Sequence, residues 1–142
     1  MKISNILATK GMAVYTARPG QTVQDAVALL ARHNVGALVV VDDEGRPVGI
    51  ISERDIVRAL AGGEGILTRT VDQVMTKNVV SALPQDDLQS VMQTMTDRRF
   101  RHLPVVEHGK LSGIVSIGDV VKAMLAAYRG EIDTLQTQIS QG

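Results

Sequence analysis

Gly49-Ile50-Ile51-Ser52-Glu53-Arg54-Asp55-Ile56-Val57-Arg58-Ala59 returns 64 positions downstream as Gly113-Ile114-Val115-Ser116-Ile117-Gly118-Asp119-Val120-Val121-Lys122-Ala123. Each copy sets a glycine, a hydroxyl and a carboxylate at fixed spacing. In both, the group lies between an apolar strand pattern and the start of an amphipathic helix. A chain that repeats such a unit is expected to fold as a pseudo-symmetric pair, with ligand sites where the copies face each other.

The duplication extends outward from this pair. Val14-Tyr15-Thr16-Ala17-Arg18-Pro19 matches Val79-Val80-Ser81-Ala82-Leu83-Pro84, two short strand patterns ended by proline, which cannot continue a ladder. A helix start follows each: Thr22 with Asp25 in capping-box spacing, and Asp87 as the corresponding cap. Apolar residues then fall at Val23, Ala26, Val27 and Leu30, and in the same register at Leu88, Val91, Met92 and Met95. That spacing marks the core face of a helix. Ala37–Val41 and Leu103–Val106 read as strands, joined across turns at Asp42–Pro47 and Glu107–Lys110 to second strands at Val48–Ser52 and Leu111–Ser116. These pairs are expected to be antiparallel hairpins. Second helices begin near Glu53 and Ile117. Each unit is thus β-α-β-β-α, preceded by a short helical lead-in at Ile3–Leu7 or Val71–Met75. The reading divides the chain into residues 1–65, residues 66–126 and a C-terminal helical extension, 127–142. In that last stretch Val121, Met124, Leu125, Tyr128, Ile132, Leu135 and Ile139 keep helical spacing through Gly130, where a break is conceivable. The stripe either docks on its own module or holds a second subunit.

Composition narrows the function. The 142 residues are 44% hydrophobic and 21% charged with zero formal net charge, a soluble globular balance. A neutral chain with two Tyr, one Phe and no Trp lacks both the basic excess and the stacking platforms of nucleic-acid binders. There is no cysteine, hence no disulfide framework or thiolate metal site, and His33, His102 and His108 do not share metal-ligand spacing. No secretory h-region or membrane-length apolar run is present, and a cytoplasmic location is expected. Catalysis is not expected either. His102 and Ser116 lack a third group to orient them. Gly62-Gly63-Glu64-Gly65 lacks the Lys-Ser/Thr of a phosphate-binding loop.

Ile3–Met124 resembles a tandem pair of cystathionine-β-synthase (CBS) domains, a Bateman module. The resemblance is carried by Gly-h-h-Ser-x-x-Asp (h apolar) at Gly49/Ser52/Asp55 and Gly113/Ser116/Asp119. Pro19, Pro84 and Arg101-His102-Leu103-Pro104-Val105-Val106 also fit it. The resemblance implies an α/β (α+β) fold in which each motif forms a three-stranded sheet with two helices and the two sheets pack together. It implies two clefts for adenine nucleotides such as AMP, ADP, ATP or NAD, as ligands rather than catalytic cofactors. It further implies that Asp55 and Asp119 bond ribose hydroxyls, that Ser52 and Ser116 lie near phosphate, and that first-strand residues Thr16, Val80 and Ser81 line the base pocket. Two modules often form a disc-like homodimer.

The residues admit a local reading beside this one. Ser52 and Ser116 are natural N-caps, and Asp55 and Asp119 suit the first helical turn, so each Ser-x-x-Asp is close to a capping box. Capping does not explain the preceding glycine, which sits at a strand crossing where a ligand could approach the backbone. Chemically, a carboxylate can accept two hydrogen bonds from a cis-diol, and a helix N-terminus favours phosphate. The copies differ most at Arg98-Arg99-Phe100-Arg101-His102, where copy one has His33-Asn34-Val35-Gly36-Ala37. Arg98 and Arg99 fit either a solvated helix end or phosphate. Arg101 and His102, with Pro104 fixing the backbone, are phosphate candidates, as is Arg54, which Gly118 replaces in copy two. Unequal clefts are therefore expected, with Arg101 assigned to neither. The resulting function is a ligand sensor signalling in trans to an effector protein. The alternative is an interaction scaffold with vestigial, empty clefts.

Overall fold

A computed structural model describes residues 1–11 and 13–141, with side chains as far as Glu131. Each repeat closes a hydrophobic core of its own. In the first half, β1 (Thr16–Ala17) runs parallel to β2 (Ala37–Val41), which pairs antiparallel with β3 (Pro47–Ser52). Helices α2 (Val23–His33) and α3 (Glu53–Ala61) cover this sheet. In the second half, β4 (His102–Glu107) and β5 (Lys110–Ser116) form the antiparallel pair, with α5 (Leu88–Arg98) and α6 (Ile117–Gln141) against them. The caps anticipated at α2 and α5 are present: Thr22 Oγ1 accepts from Asp25 N at 3.1 Å, and Asp87 Oδ2 accepts from Gln89 N at 3.0 Å. Val23, Ala26 and Leu30 are buried on α2, whereas Val27 turns outward, 37% exposed.

The expected third strand of the second sheet is reduced to a single parallel bridge, Ala82 with Val105. Proline explains the loss. In the first half, Val39 N donates to Tyr15 O at 3.1 Å. Pro104 occupies the position of Val39 and has no N–H to donate to Val80, so the ladder lacks that rung.

The lead-ins cross over. α1 (Ile3–Lys10) precedes the first repeat but buries Ile3, Ile6 and Leu7 in the second core, beside Leu88, Met95 and Val115. Ile3 N and Ser4 N donate to Asp86 O and Pro84 O at 3.0 and 2.8 Å. α4 (Val71–Val74) precedes the second repeat but buries Val71 in the first core, beside Val23, Leu38 and Ile51. Val71 N and Asp72 N donate to Gln21 O and Pro19 O at 2.7 and 3.1 Å, the same arrangement on the other half. This crossing accounts for the repeated glycines. A Cβ on Gly49 would lie 2.6 Å from Met75 Sδ and 2.8 Å from Thr76 O, and one on Gly113 would lie 2.9 Å from Leu7 Cδ2. The close approach that sequence reasoning assigned to a ligand is made by the chain's own lead-in segments.

α6 continues through Gly130 without a break. Of its apolar stripe, Val121, Leu125 and Tyr128 are exposed by 42, 54 and 58%. The side chains of Ile132, Leu135 and Ile139 lie outside the described residues.

Candidate functional site

The two halves enclose a cleft of 610 Å³ at the start of α3, within the 300–1,000 Å³ usual for small-ligand sites. The first half contributes Gly36, Ser52, Glu53, Arg54, Asp55 and Arg58. The second contributes Arg98, Arg99, Phe100, Arg101 and His102, with Thr76 and Val79 from the crossing segment. The helix start is fixed by hydrogen bonds within a few residues. Asp55 Oδ2 accepts from Ser52 N and Ser52 Oγ at 2.9 and 3.0 Å, and Ser52 Oγ accepts from Asp55 N at 3.3 Å. Glu53 N donates to Gly36 O at 3.0 Å, which pins α3 to the entrance of β2. The second carboxylate oxygen of Asp55 reaches across the crossing segment and accepts from Thr76 Oγ1 at 2.9 Å. Asp55 is therefore both the capping residue of α3 and a lining residue of the cleft.

The repeated acid in the second half is differently placed. Ser116 and Asp119 form the same capping box, at 2.9 and 3.1 Å. Ile117 N donates to Arg101 O at 2.8 Å, the counterpart of the Glu53–Gly36 bond. But Lys10 Nζ, from α1, donates to Asp119 Oδ2 at 2.7 Å and to Ile114 O at 3.0 Å. Burial opposes the charged form of Asp119, yet the Lys10 ammonium and the Ser116 donors outweigh it and hold its pKa below the ordinary carboxylate value. His102 lines the cleft and pairs with Ser116 across the second hairpin. Its burial, then the charge of Lys10, push its pKa below the usual imidazole value, with Arg101 adding to them and Asp119 and Glu53 opposing. His102 is thus neutral at pH 7.

Of the sequence-derived candidates, Ser52, Arg54, Asp55, Arg101 and His102 line this cleft, so Arg101 shares a cavity with Asp55. Ser116 and Asp119 lie apart, with Lys10. Val80 and Ser81 line a separate depression of 160 Å³, and their neighbour Val79 faces the cleft instead. Thr16 pairs with Val39 in the sheet, and Pro104 is buried in β4, its carbonyl accepting from Ala82 N at 2.9 Å. Sequence reasoning passed over Arg58, although it follows Arg54 by four residues and so shares its helical face. Thr76 and Lys10 carried no local signal, because only the crossing of the lead-ins brings them to the acids.

The CBS domain family profile matches residues 4–62 and 71–126. A CBS-domain containing protein of known structure, ATU1752 from Agrobacterium tumefaciens, is 44% identical. It aligns over 87% of this chain and 99% of its own, with a TM-score of 0.83. The CBS domain pair of protein MJ0100, solved with 5′-methylthioadenosine and S-adenosyl-L-methionine, is 28% identical over 89% of this chain and 98% of its own, with a TM-score of 0.79. CBS domain protein PAE2072 from Pyrobaculum aerophilum, solved with AMP, is 27% identical over 84% of this chain and 89% of its own, with a TM-score of 0.75.

Proposed function

This chain belongs to the CBS domain family, as a tandem pair, and from that premise we propose that it is a non-catalytic regulatory module binding an adenine nucleotide (AMP, ADP, ATP or NAD) at Asp55. The observation that carries the reading is the cleft itself, where a capping carboxylate, a helix N-terminus and an arginine cluster from the other half share one cavity. Asp55 would accept from the ribose cis-diol in exchange for its Thr76 bond, and the free N–H groups of α3 with the guanidinium groups would hold phosphate. The relatives solved with AMP or with S-adenosyl-L-methionine and 5′-methylthioadenosine support an adenosine-containing ligand. Because residues of both halves line the cleft, a ligand there changes the relative stability of their arrangements, which an effector protein would read in trans.

Isothermal titration calorimetry on protein stripped of co-purified nucleotide tests this, with mass spectrometry of the released small molecule. The expected result is saturable binding, lost in Asp55→Ala, and a ligand-induced gain in stability of about 2.7 kcal/mol at a hundredfold excess over Kd. No binding at millimolar nucleotide would reject it in favour of a scaffold with empty clefts. We further propose a homodimer through the exposed apolar residues of α3 and α6, Val57, Leu60, Val121 and Leu125. A cytoplasmic location is also proposed, to be checked by fractionation; among the described residues no helix is long and apolar enough to cross a membrane.

A further inference from the structure

We infer that the Asp55 cleft selects its ligand by the charge of the tail: it takes an adenosine polyphosphate and disfavours both the monophosphate and the adenosine sulfonium compounds. The inference rests on the nucleotide-binding reading above and adds the class of ligand.

Three segments bring their arginines to one cavity: Arg54 and Arg58 on α3, Arg98 and Arg99 at the end of α5, and Arg101 at the entrance of β4. These are five of the ten arginines in the chain. Only Glu53 and Asp55 oppose them, and His102 is neutral, so the cleft holds a formal excess of three positive charges in a chain whose net charge is zero. Outside the cleft, Arg18 pairs with Asp43, and Arg46 with Asp42 and Glu44, while Arg32, Arg69 and Arg129 stand singly in the chain. Among the described residues, none of the five cleft arginines has a carboxylate within ion-pair distance. Like charges gathered without partners repel one another, and a polyanion relieves that repulsion. One terminal phosphate brings about two negative charges at neutral pH, which leaves part of the excess standing. Each further phosphoryl group adds another charge and more acceptor oxygens for guanidinium forks. A sulfonium ligand adds to the excess instead.

Arg99 gives an independent reason. It ends α5 in the left-handed conformation, φ 59°. The equivalent helix in the first half ends on Asn34 with φ 52°. Asparagine is a usual occupant of that position and arginine is not. A residue kept in a conformation that costs stability, where the sister repeat has a better suited one, points to a role in the cleft.

Calorimetry with nucleotide-free protein, at one pH and ionic strength and without divalent cations, compares AMP, ADP, ATP and S-adenosyl-L-methionine. ADP and ATP are expected to bind at least about tenfold more tightly than AMP, the value of one charge-assisted hydrogen bond. S-adenosyl-L-methionine is expected to be the weakest of the four. Arg99→Asn should weaken ATP about tenfold and AMP less than about threefold, while raising the melting temperature of the free protein by about 3 °C. Equal affinities for AMP and ATP, or an ATP-to-AMP ratio unchanged in Arg99→Asn, would overturn the charge selection and leave the nucleotide reading intact. Absence of binding by all four, and by NAD titrated alongside them, would remove both.

Discussion

Gly49→Ala and Gly113→Ala place the same methyl group at equivalent points of the two repeats, yet they should differ in cost. At Gly49 the new Cβ meets Met75 Sδ at 2.6 Å and the backbone oxygen of Thr76 at 2.8 Å. That oxygen cannot step aside freely. It accepts from Ile50 N at 3.0 Å while Thr76 N donates to Ile50 O at 2.8 Å, so displacing the segment strains two hydrogen bonds worth about 1 kcal/mol each. Overpacking adds about 1–3 kcal/mol, and removing a glycine from the unfolded chain returns about 0.4–1 kcal/mol. The net loss is about 2–4.5 kcal/mol. At Gly113 the obstacle is the far end of Leu7, at 2.9 Å and 3.3 Å. A buried leucine side chain can turn, so the net loss there is about 1 kcal/mol or less. Urea unfolding followed by circular dichroism reads both, with an unchanged m-value showing that stability alone has moved. Equal losses at the two glycines, or a neutral Gly49→Ala, would refute the account of the crossing.

Three further outcomes are expected. Lys10→Met should cost about 1 kcal/mol at pH 7. Because the pKa of Asp119 is lowered in the folded state, that contribution is present above the unfolded value of 3.8 and lost as pH falls through the folded one. An equal cost in urea titrations at pH 7 and pH 3 would count against the ion pair. The pKa of His102 is lowered as well, so the unfolded chain takes up a proton first. Stability should be full above 6.5 and decline as pH falls below it, and His102→Gln should flatten that slope in thermal melts across pH 5–7. Leu125→Glu, on the exposed face of α6, should convert a dimer to a monomer in light scattering coupled to size exclusion, with the melting temperature of the fold nearly unchanged. A wild-type monomer would remove the proposed interface.

Much of this was legible in the chain. The order of elements in each repeat, the capping boxes at Thr22, Ser52 and Ser116, and the buried stripes of α2 and α5 follow from residues three or four positions apart. The weakened third strand of the second sheet was legible in principle, since Pro104 stands where Val39 donates a hydrogen bond, but it needed the partner strand to be known. The base-pocket expectation at Val80 and Ser81 missed the cleft by one position, because facing is decided by a crossing segment with no regular period.

Read alone, the amino-acid sequence established two copies of one fold and the caps that start their helices. Those features depend on periodicity and on hydrogen bonds closed within a single turn, which any short window contains. It could not show that each lead-in helix packs on the other half, that Arg101 joins Asp55, or that Lys10 reaches Asp119 across 109 positions of chain. Such pairings are set by which apolar faces bury each other when two nearly identical halves close, and near-identity leaves the choice between self and partner open until they pack.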